Sequence, residues 1–99
     1  MKRRNDTFTK RTQLQIIAEL LESAKNPVSI TSLVYKVEMH YTPVTKYLNR
    51  LLSSGLIESI SEEKGKTRYR ITKKGEEFLS VMRELEEIIS STAKGNRKH

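Results

Sequence analysis

The sequence predicts a small α+β domain, mainly helical with one β-hairpin, in the order helix, strand, helix, helix, strand, strand, helix. Three observations carry this expectation. The 99 residues suffice for one domain and leave too little apolar surface for two independent cores. Apolar side chains recur at three- and four-residue steps in four separate stretches, the helical period. Two short stretches flank a turn at Gly65, and the second, residues 66–71, alternates every second position instead, as a hairpin strand does.

Residues 1–8 read as a flexible basic arm ending in Phe8, which could tuck onto the body. The folded domain then spans 9–92. From Thr12 to Lys25, Leu14, Ile17, Ala18 and Leu21, with Ile16, Leu20 and Ala24 beside them, form one wide stripe to be buried, and Asn26-Pro27 stops the helix. Val28, Ser29 and Ile30 make a short extended piece. Thr31 or Ser32 is expected to cap a short second helix holding Leu33, Val34 and Val37.

Thr42-Pro43 is a helix-start signal, with Thr accepting from free amides and Pro preset for the first helical position. The third helix is accordingly expected over 43–54, with Val44, Leu48 and Leu51 inward, Tyr47 and Leu52 flanking, and Gly55 as its left-handed cap. Strands at 56–62 and 66–71 join across Glu63, Lys64 and Gly65. A last helix is expected over 72–92, capped by Thr72, followed by a basic tail at 93–99.

The formal net charge of +7 and a pI near 9.8 point to a polyanionic partner. The charge is unevenly placed. Lys2, Arg3, Arg4, Lys10 and Arg11 face only Asp6 in the first eleven residues, and Lys94, Arg97 and Lys98 crowd the end. In between, residues 42–74 are rich in Lys and Arg, whereas residues 75–93 set Arg83 against Glu76, Glu77, Glu84, Glu86 and Glu87. One part of the fold can face phosphate and another cannot.

The absence of Cys excludes disulfides, thiolate metal sites and thiol nucleophiles. Two lone histidines, His40 and His99, make no metal constellation. No Gly-rich phosphate loop, nucleophile elbow or zinc motif is found, and Glu62-Glu63 reads as solvated hairpin surface, so neither an enzyme nor a cofactor is expected. The basic start runs into Asn5, Asp6 and Thr7 rather than an apolar stretch, and no run approaches the roughly 20 apolar residues of a membrane span. A soluble, intracellular protein is expected, without metal and without a membrane partner.

The stretch Thr42 to Glu58, TPVTKYLNRLLSSGLIE, resembles the recognition helix and first wing strand of winged helix-turn-helix proteins. Thr67 to Leu79, TRYRITKKGEEFL, resembles their second wing strand and following helix, where a Y-x-I-T-x-K-G run is common. Within that class the chain is most similar to small archaeal winged helices that dimerise through a C-terminal helix, among them a chromatin-protein family and related transcription regulators of archaea and their viruses. The resemblance implies a winged helix-turn-helix fold and binding to double-stranded DNA in the cytoplasm, at the nucleoid.

The residues fit that implication. A helix burying Val44, Leu48 and Leu51 presents Thr45, Lys46, Asn49 and Arg50 on its other side. In a major groove, Arg bonds guanine in two places, Asn does so with adenine, and Thr touches base or phosphate. Thr42, at the expected helix start, is placed for a phosphate. On the second wing strand, Lys66, Arg68 and Arg70 share one face, with Tyr69 and Ile71 packing inward, and Lys64 stands at the tip of wing 62–70. An ordinary solvated helix face and an edge strand guarded by cations would look partly alike. Both arginines and the tip lysine exceed what edge protection requires.

Phe78, Met82, Leu85 and Ile89 alternate four and three residues apart, the spacing of a coiled-coil seam, which predicts a homodimer through the last helix. The alternative folds that helix back onto the first. Tyr35, Tyr41, Tyr47 and Tyr69 are expected at the core edge. The function expected is sequence-specific transcription regulation; the alternatives are a non-specific architectural chromatin protein and a winged helix used as a protein-interaction module.

Overall fold

A computed structural model describes residues 11–98, with the side chains of all but Glu63 and residues 91–98. Helix α1 spans Gln13–Ser23. Thr12 starts it with a reciprocal capping box: its hydroxyl accepts from the Gln15 amide at 3.1 Å, and the Gln15 side chain accepts from the Thr12 amide at 2.8 Å. The chain then passes Pro27, and Val28 pairs with Tyr69 through two backbone hydrogen bonds of 2.9 and 2.8 Å. The expected extended piece is thus a single bridge that adds a third strand's edge to the hairpin.

Helix α2 spans Ile30–Val37. It begins earlier than the sequence predicts. Ser29, not Thr31 or Ser32, is the cap: its backbone is extended and its hydroxyl accepts from the Ser32 amide at 3.2 Å, so Ile30 is already helical. Glu38, at φ 55°, ends it in the left-handed region.

Helix α3 spans Tyr41–Ser53, again starting ahead of expectation. His40 is the capping residue and makes no side-chain cap bond, so Thr42 and Pro43 lie inside the first turn. Proline is tolerated there because the first four amides of a helix have no intrahelical acceptor. The end matches the sequence: Gly55, at φ +78°, lets the Leu56 amide reach back to the Leu51 carbonyl at 2.9 Å and its own amide to Leu52 at 3.1 Å, the paired bonds of a Schellman cap.

Strands β1 (Ile57–Ser61) and β2 (Thr67–Ile71) form an antiparallel ribbon in which Ile57 opposes Ile71, Glu58 opposes Arg70 and Ser59 opposes Tyr69. The tip Glu63–Gly65 is one short 3-10 turn with both Lys64 and Gly65 at positive φ. Helix α4 then runs Lys73–Lys98, past the predicted end near Thr92. No strong stop signal stands there: Ala93 and Lys94 are helix formers by propensity, and Gly95 costs only about 1 kcal/mol.

Thr72 joins these parts. Its hydroxyl accepts from the Gly75 amide at 3.0 Å and donates to the Gly55 carbonyl at 2.6 Å, while its amide donates to Leu56 at 3.0 Å. The start of α4 is thereby tied to the end of α3.

The core gathers Leu20 and Leu21 of α1, Leu33 and Val37 of α2, Val44, Leu48 and Leu51 of α3, Ile57 and Ile71 of the ribbon, and Leu79 of α4. Two expectations about it fail. Leu14, placed in the buried stripe of α1, is 55% exposed, because the core lies against the later turns of that helix at Ala18, Leu20, Leu21 and Ala24. Of the four tyrosines, Tyr47 and Tyr69 pack against the core, but Tyr35 is 83% and Tyr41 57% exposed. The eight-residue α2 buries Leu33 and Val37 on one side and turns Tyr35 to the other.

Candidate nucleic-acid interface

Because Val44, Leu48 and Leu51 anchor α3 to the core, its opposite face is fixed toward solvent. Thr42, Lys46, Asn49 and Arg50 are exposed on that face, within three turns of helix. Thr45 differs from them. It is half-buried, and its hydroxyl donates to the Tyr41 carbonyl at 2.9 Å, which leaves only acceptor capacity for a ligand. The Arg50 guanidinium lies 5.7 Å from the ring centroid of Tyr47, a cation–π distance that restrains the longest side chain of the face while leaving its donors outward. Tyr47 was assigned to the core edge from the sequence; its role under Arg50 was missed, although the i, i+3 spacing could have shown it.

The ribbon lies beside this helix, reached through Gly55 and Leu56. Lys66, Arg68 and Arg70 alternate with Thr67, Tyr69 and Ile71 as the sequence predicts, and Ile71 is buried with Tyr69 half-buried beneath the cationic face. Lys64 and Lys66 are exposed at and next to the tip. The two arginines are already partnered. Arg70 holds one Glu58 carboxylate oxygen through two nitrogens at 2.7 and 3.1 Å, and Arg68 lies 3.2 Å from Glu62. A hairpin centred on Lys64 places Glu58 opposite Arg70, so this pairing was legible once the turn was located.

Among the described residues, Lys46, Arg50, Lys64 and Lys66 make no ion pair within the chain, so the helix face and the wing tip present four cations to solvent. Other cations are engaged elsewhere. Arg11, counted from the sequence with the basic arm, pairs with Glu19 of α1, and the remaining arm cations fall outside the described residues. Arg83 of α4 bridges Glu22 at 3.3 Å and Glu86 at 3.2 Å; burial alone would lower its guanidinium, but these two carboxylates outweigh that and raise it above its ordinary value. Lys74 donates to the Ser54 carbonyl at 2.9 Å at the C-terminal end of α3.

On α4, the predicted seam divides. Phe78 and Met82 are half-buried against the chain's own core, whereas Leu85 and Ile89 are 54% and 67% exposed, alongside Val81 at 53% and Ile88 at 56%. No group of three or more His, Asp or Glu that could hold a metal occurs among the described residues, and none of their helices is long and apolar enough to cross a membrane.

Three packed helices, a two-stranded wing and a closing helix define a winged helix-turn-helix, and residues 10–90 match the model of a winged helix-turn-helix family, to which this chain belongs. The chain is 32% identical over 91 residues to the uncharacterized protein MJ0287 of Methanocaldococcus jannaschii, covering 91% of this chain and 88% of that one. Among solved structures, it is similar to Sso10a-2, described as a DNA-binding protein from Sulfolobus solfataricus, with a TM-score of 0.77, 24% identity, and coverage of 89% of this chain and 92% of that chain. It is also similar to the MarR family transcription regulator SP03579, with a TM-score of 0.71 and 20% identity; the match takes in 92% of this chain and 63% of the regulator. These structural likenesses establish the fold.

Proposed function

We propose that this protein binds duplex DNA as a sequence-specific transcription regulator, with α3 in the major groove and the wing along the backbone. The observation that carries this reading is the outer face of α3, where Asn49 and Arg50 stand beside Lys46 and Thr42 on a helix that the core holds rigidly outward. Asn and Arg are the side chains that read adenine and guanine by paired hydrogen bonds, and a rigid helix holds them in register with base edges. The descriptions of Sso10a-2 as DNA-binding and of SP03579 as a transcription regulator support the same assignment.

Roles divide by position. Arg50 and Asn49 read bases. Lys46, Thr42, Lys64 and Lys66 contact phosphates and orient the helix, as do Arg68 and Arg70 once they leave their glutamates. Thr45 contributes as an acceptor or through its methyl group. The cations before Arg11 add to the attraction for DNA, along its backbone or in the minor groove, and the protein works at the nucleoid in the cytoplasm. It acts as a homodimer through α4, with Leu85 and Ile89 at the centre of the contact and Phe78 and Met82 at its edge. Helix α4 contains 26 residues, about 39 Å of helix, and past Met82 it outruns the body that covers its first turns. A second copy of the chain would cover the exposed Val81, Leu85, Ile88 and Ile89 there.

Binding of a labelled random-sequence duplex across a salt series, followed by selection from the same pool, tests the assignment. With about six phosphates neutralised, affinity falls by roughly three orders of magnitude between 50 and 200 mM salt. A regulator enriches a palindromic motif. Steep salt dependence without enrichment identifies an architectural protein instead, and no binding at low salt excludes DNA as the partner.

Two substitutions separate the roles. Arg50→Ala is expected to flatten the selected motif, losing about 1–3 kcal/mol of discrimination at one base position. Lys66→Ala is expected to weaken all sequences alike and to reduce the salt slope by about one. Identical behaviour of the two variants across a sequence panel would show that Arg50 does not read bases.

A further inference from the structure

We propose that Glu58 and Glu62 are affinity-limiting residues of the wing: they hold Arg70 and Arg68 in ion pairs that DNA phosphates must displace, and so weaken the backbone contribution to binding on every sequence. This rests on the reading of the protein as a duplex-binding regulator. The geometry that carries it is the ribbon register. Glu58 is directly opposite Arg70, and Glu62 receives Arg68 along the diagonal, so carboxylates and guanidinium groups occupy the same face of the ribbon. That face is the one turned away from Tyr69 and Ile71, the side on which the cations meet solvent and any docked backbone.

The pairs are exposed enough to exchange. Side chains of Arg70 and Glu58 retain 48% and 46% of their accessible surface, and those of Arg68 and Glu62 retain 43% and 39%. Exposed ion pairs of this kind shift an equilibrium by roughly a few-fold at most, so phosphate can displace the carboxylates. The cost does not end with displacement. Each freed glutamate stays within a side chain's reach of the phosphate that replaced it, and its charge opposes the contact.

The wing therefore contributes less affinity than its cations promise. Four basic side chains, Lys64, Lys66, Arg68 and Arg70, share the ribbon and its tip with Glu58, Glu62 and Glu63. Weak backbone attraction lowers affinity for every sequence, and base contacts from α3 then decide where the protein resides. A coating protein has no use for such a device; a regulator that must leave wrong sites quickly does.

The double variant Glu58→Gln/Glu62→Gln tests this, because Gln keeps the shape and a hydrogen-bonding oxygen for each arginine but removes the charge. Against a non-specific duplex at about 100 mM salt, the variant is expected to bind roughly tenfold more tightly than the unaltered chain, with a salt slope steeper by about one to two. Its affinity for the selected motif should rise by a similar factor, because the wing meets backbone in both complexes. Glu77→Gln on α4, exposed and outside the wing, is the control for net charge and should change affinity less than about twofold. An unaltered chain that binds DNA, with a double variant no tighter than Glu77→Gln, overturns the role of the glutamates and leaves the DNA reading in place. An unaltered chain that binds no duplex at low salt overturns both.

Discussion

Replacing Gly75 by alanine is expected to cost about 3 kcal/mol of folding stability, at the upper end of what overpacking a core produces, and to lower Tm by roughly 10–20 °C. The position is in the first turns of α4 with ordinary helical backbone, where alanine would normally gain about 1 kcal/mol over glycine. Sterics reverse that sign. A Cβ built on Gly75 would meet the Leu56 carbonyl oxygen at 2.1 Å, the Ile71 Cγ1 at 2.7 Å and the Leu56 carbonyl carbon at 3.1 Å. None of these is the loose end of a flexible side chain. The Leu56 carbonyl accepts from the Thr72 amide at 3.0 Å, and Ile71 is buried in the core opposite Ile57, so relief in either direction breaks something else. Thermal and urea unfolding followed by circular dichroism decide the matter. An increase in Tm would mean that α4 does not approach the α3–β1 junction closely enough to exclude a methyl group.

Gly75 also marks where sequence reasoning stops. It belongs to the run Tyr69-Arg70-Ile71-Thr72-Lys73-Lys74-Gly75, which is recognisable as a pattern, yet a glycine inside a helix reads from sequence only as a small cost. Its necessity lies in the distance between two elements, which no local period encodes. The order of elements, by contrast, was legible because each helix or strand must bury one face, and burial imprints a period: Val44, Leu48 and Leu51, or Tyr69 and Ile71. The starts of α2 and α3 were not. A cap is chosen by which residue stays extended, and Ser29 and His40 do so while the better-looking signals Thr31, Ser32 and Thr42-Pro43 fall inside the helices.

The candidate interface divides the same way. That Thr42, Lys46, Asn49 and Arg50 share an exposed face followed from helical geometry alone. That Arg68 and Arg70 spend their charge on Glu62 and Glu58 required the strand register, and that Thr45 bonds Tyr41 required the true helix start two residues before Pro43. Charge counting along a chain ranks segments by composition; whether a cation is available to phosphate is decided by what lies across the ribbon.

The larger effect on function is expected from Leu85→Glu/Ile89→Glu. Both side chains are more than half exposed in the single chain, so the substitution removes no core contact and the monomer should fold as before. In a dimer the same positions face each other, and four buried carboxylates without partners forbid the contact. Sedimentation at tens of micromolar should then give twice the chain mass of 11.5 kDa for the unaltered protein and the chain mass itself for the variant. Affinity for a palindromic site should fall by roughly a hundred- to ten-thousand-fold, because the second half-site is no longer bound at the high effective concentration that a linked subunit provides. Affinity for an isolated half-site should stay the same, since α3 and the wing are untouched. Half-sites about one helical turn apart, or a multiple of it, are the corresponding expectation for the DNA. A single-chain mass for the unaltered protein at that concentration, or equal binding of the palindrome by both proteins, would mean that the exposed stripe of α4 serves some purpose other than pairing two DNA-reading helices.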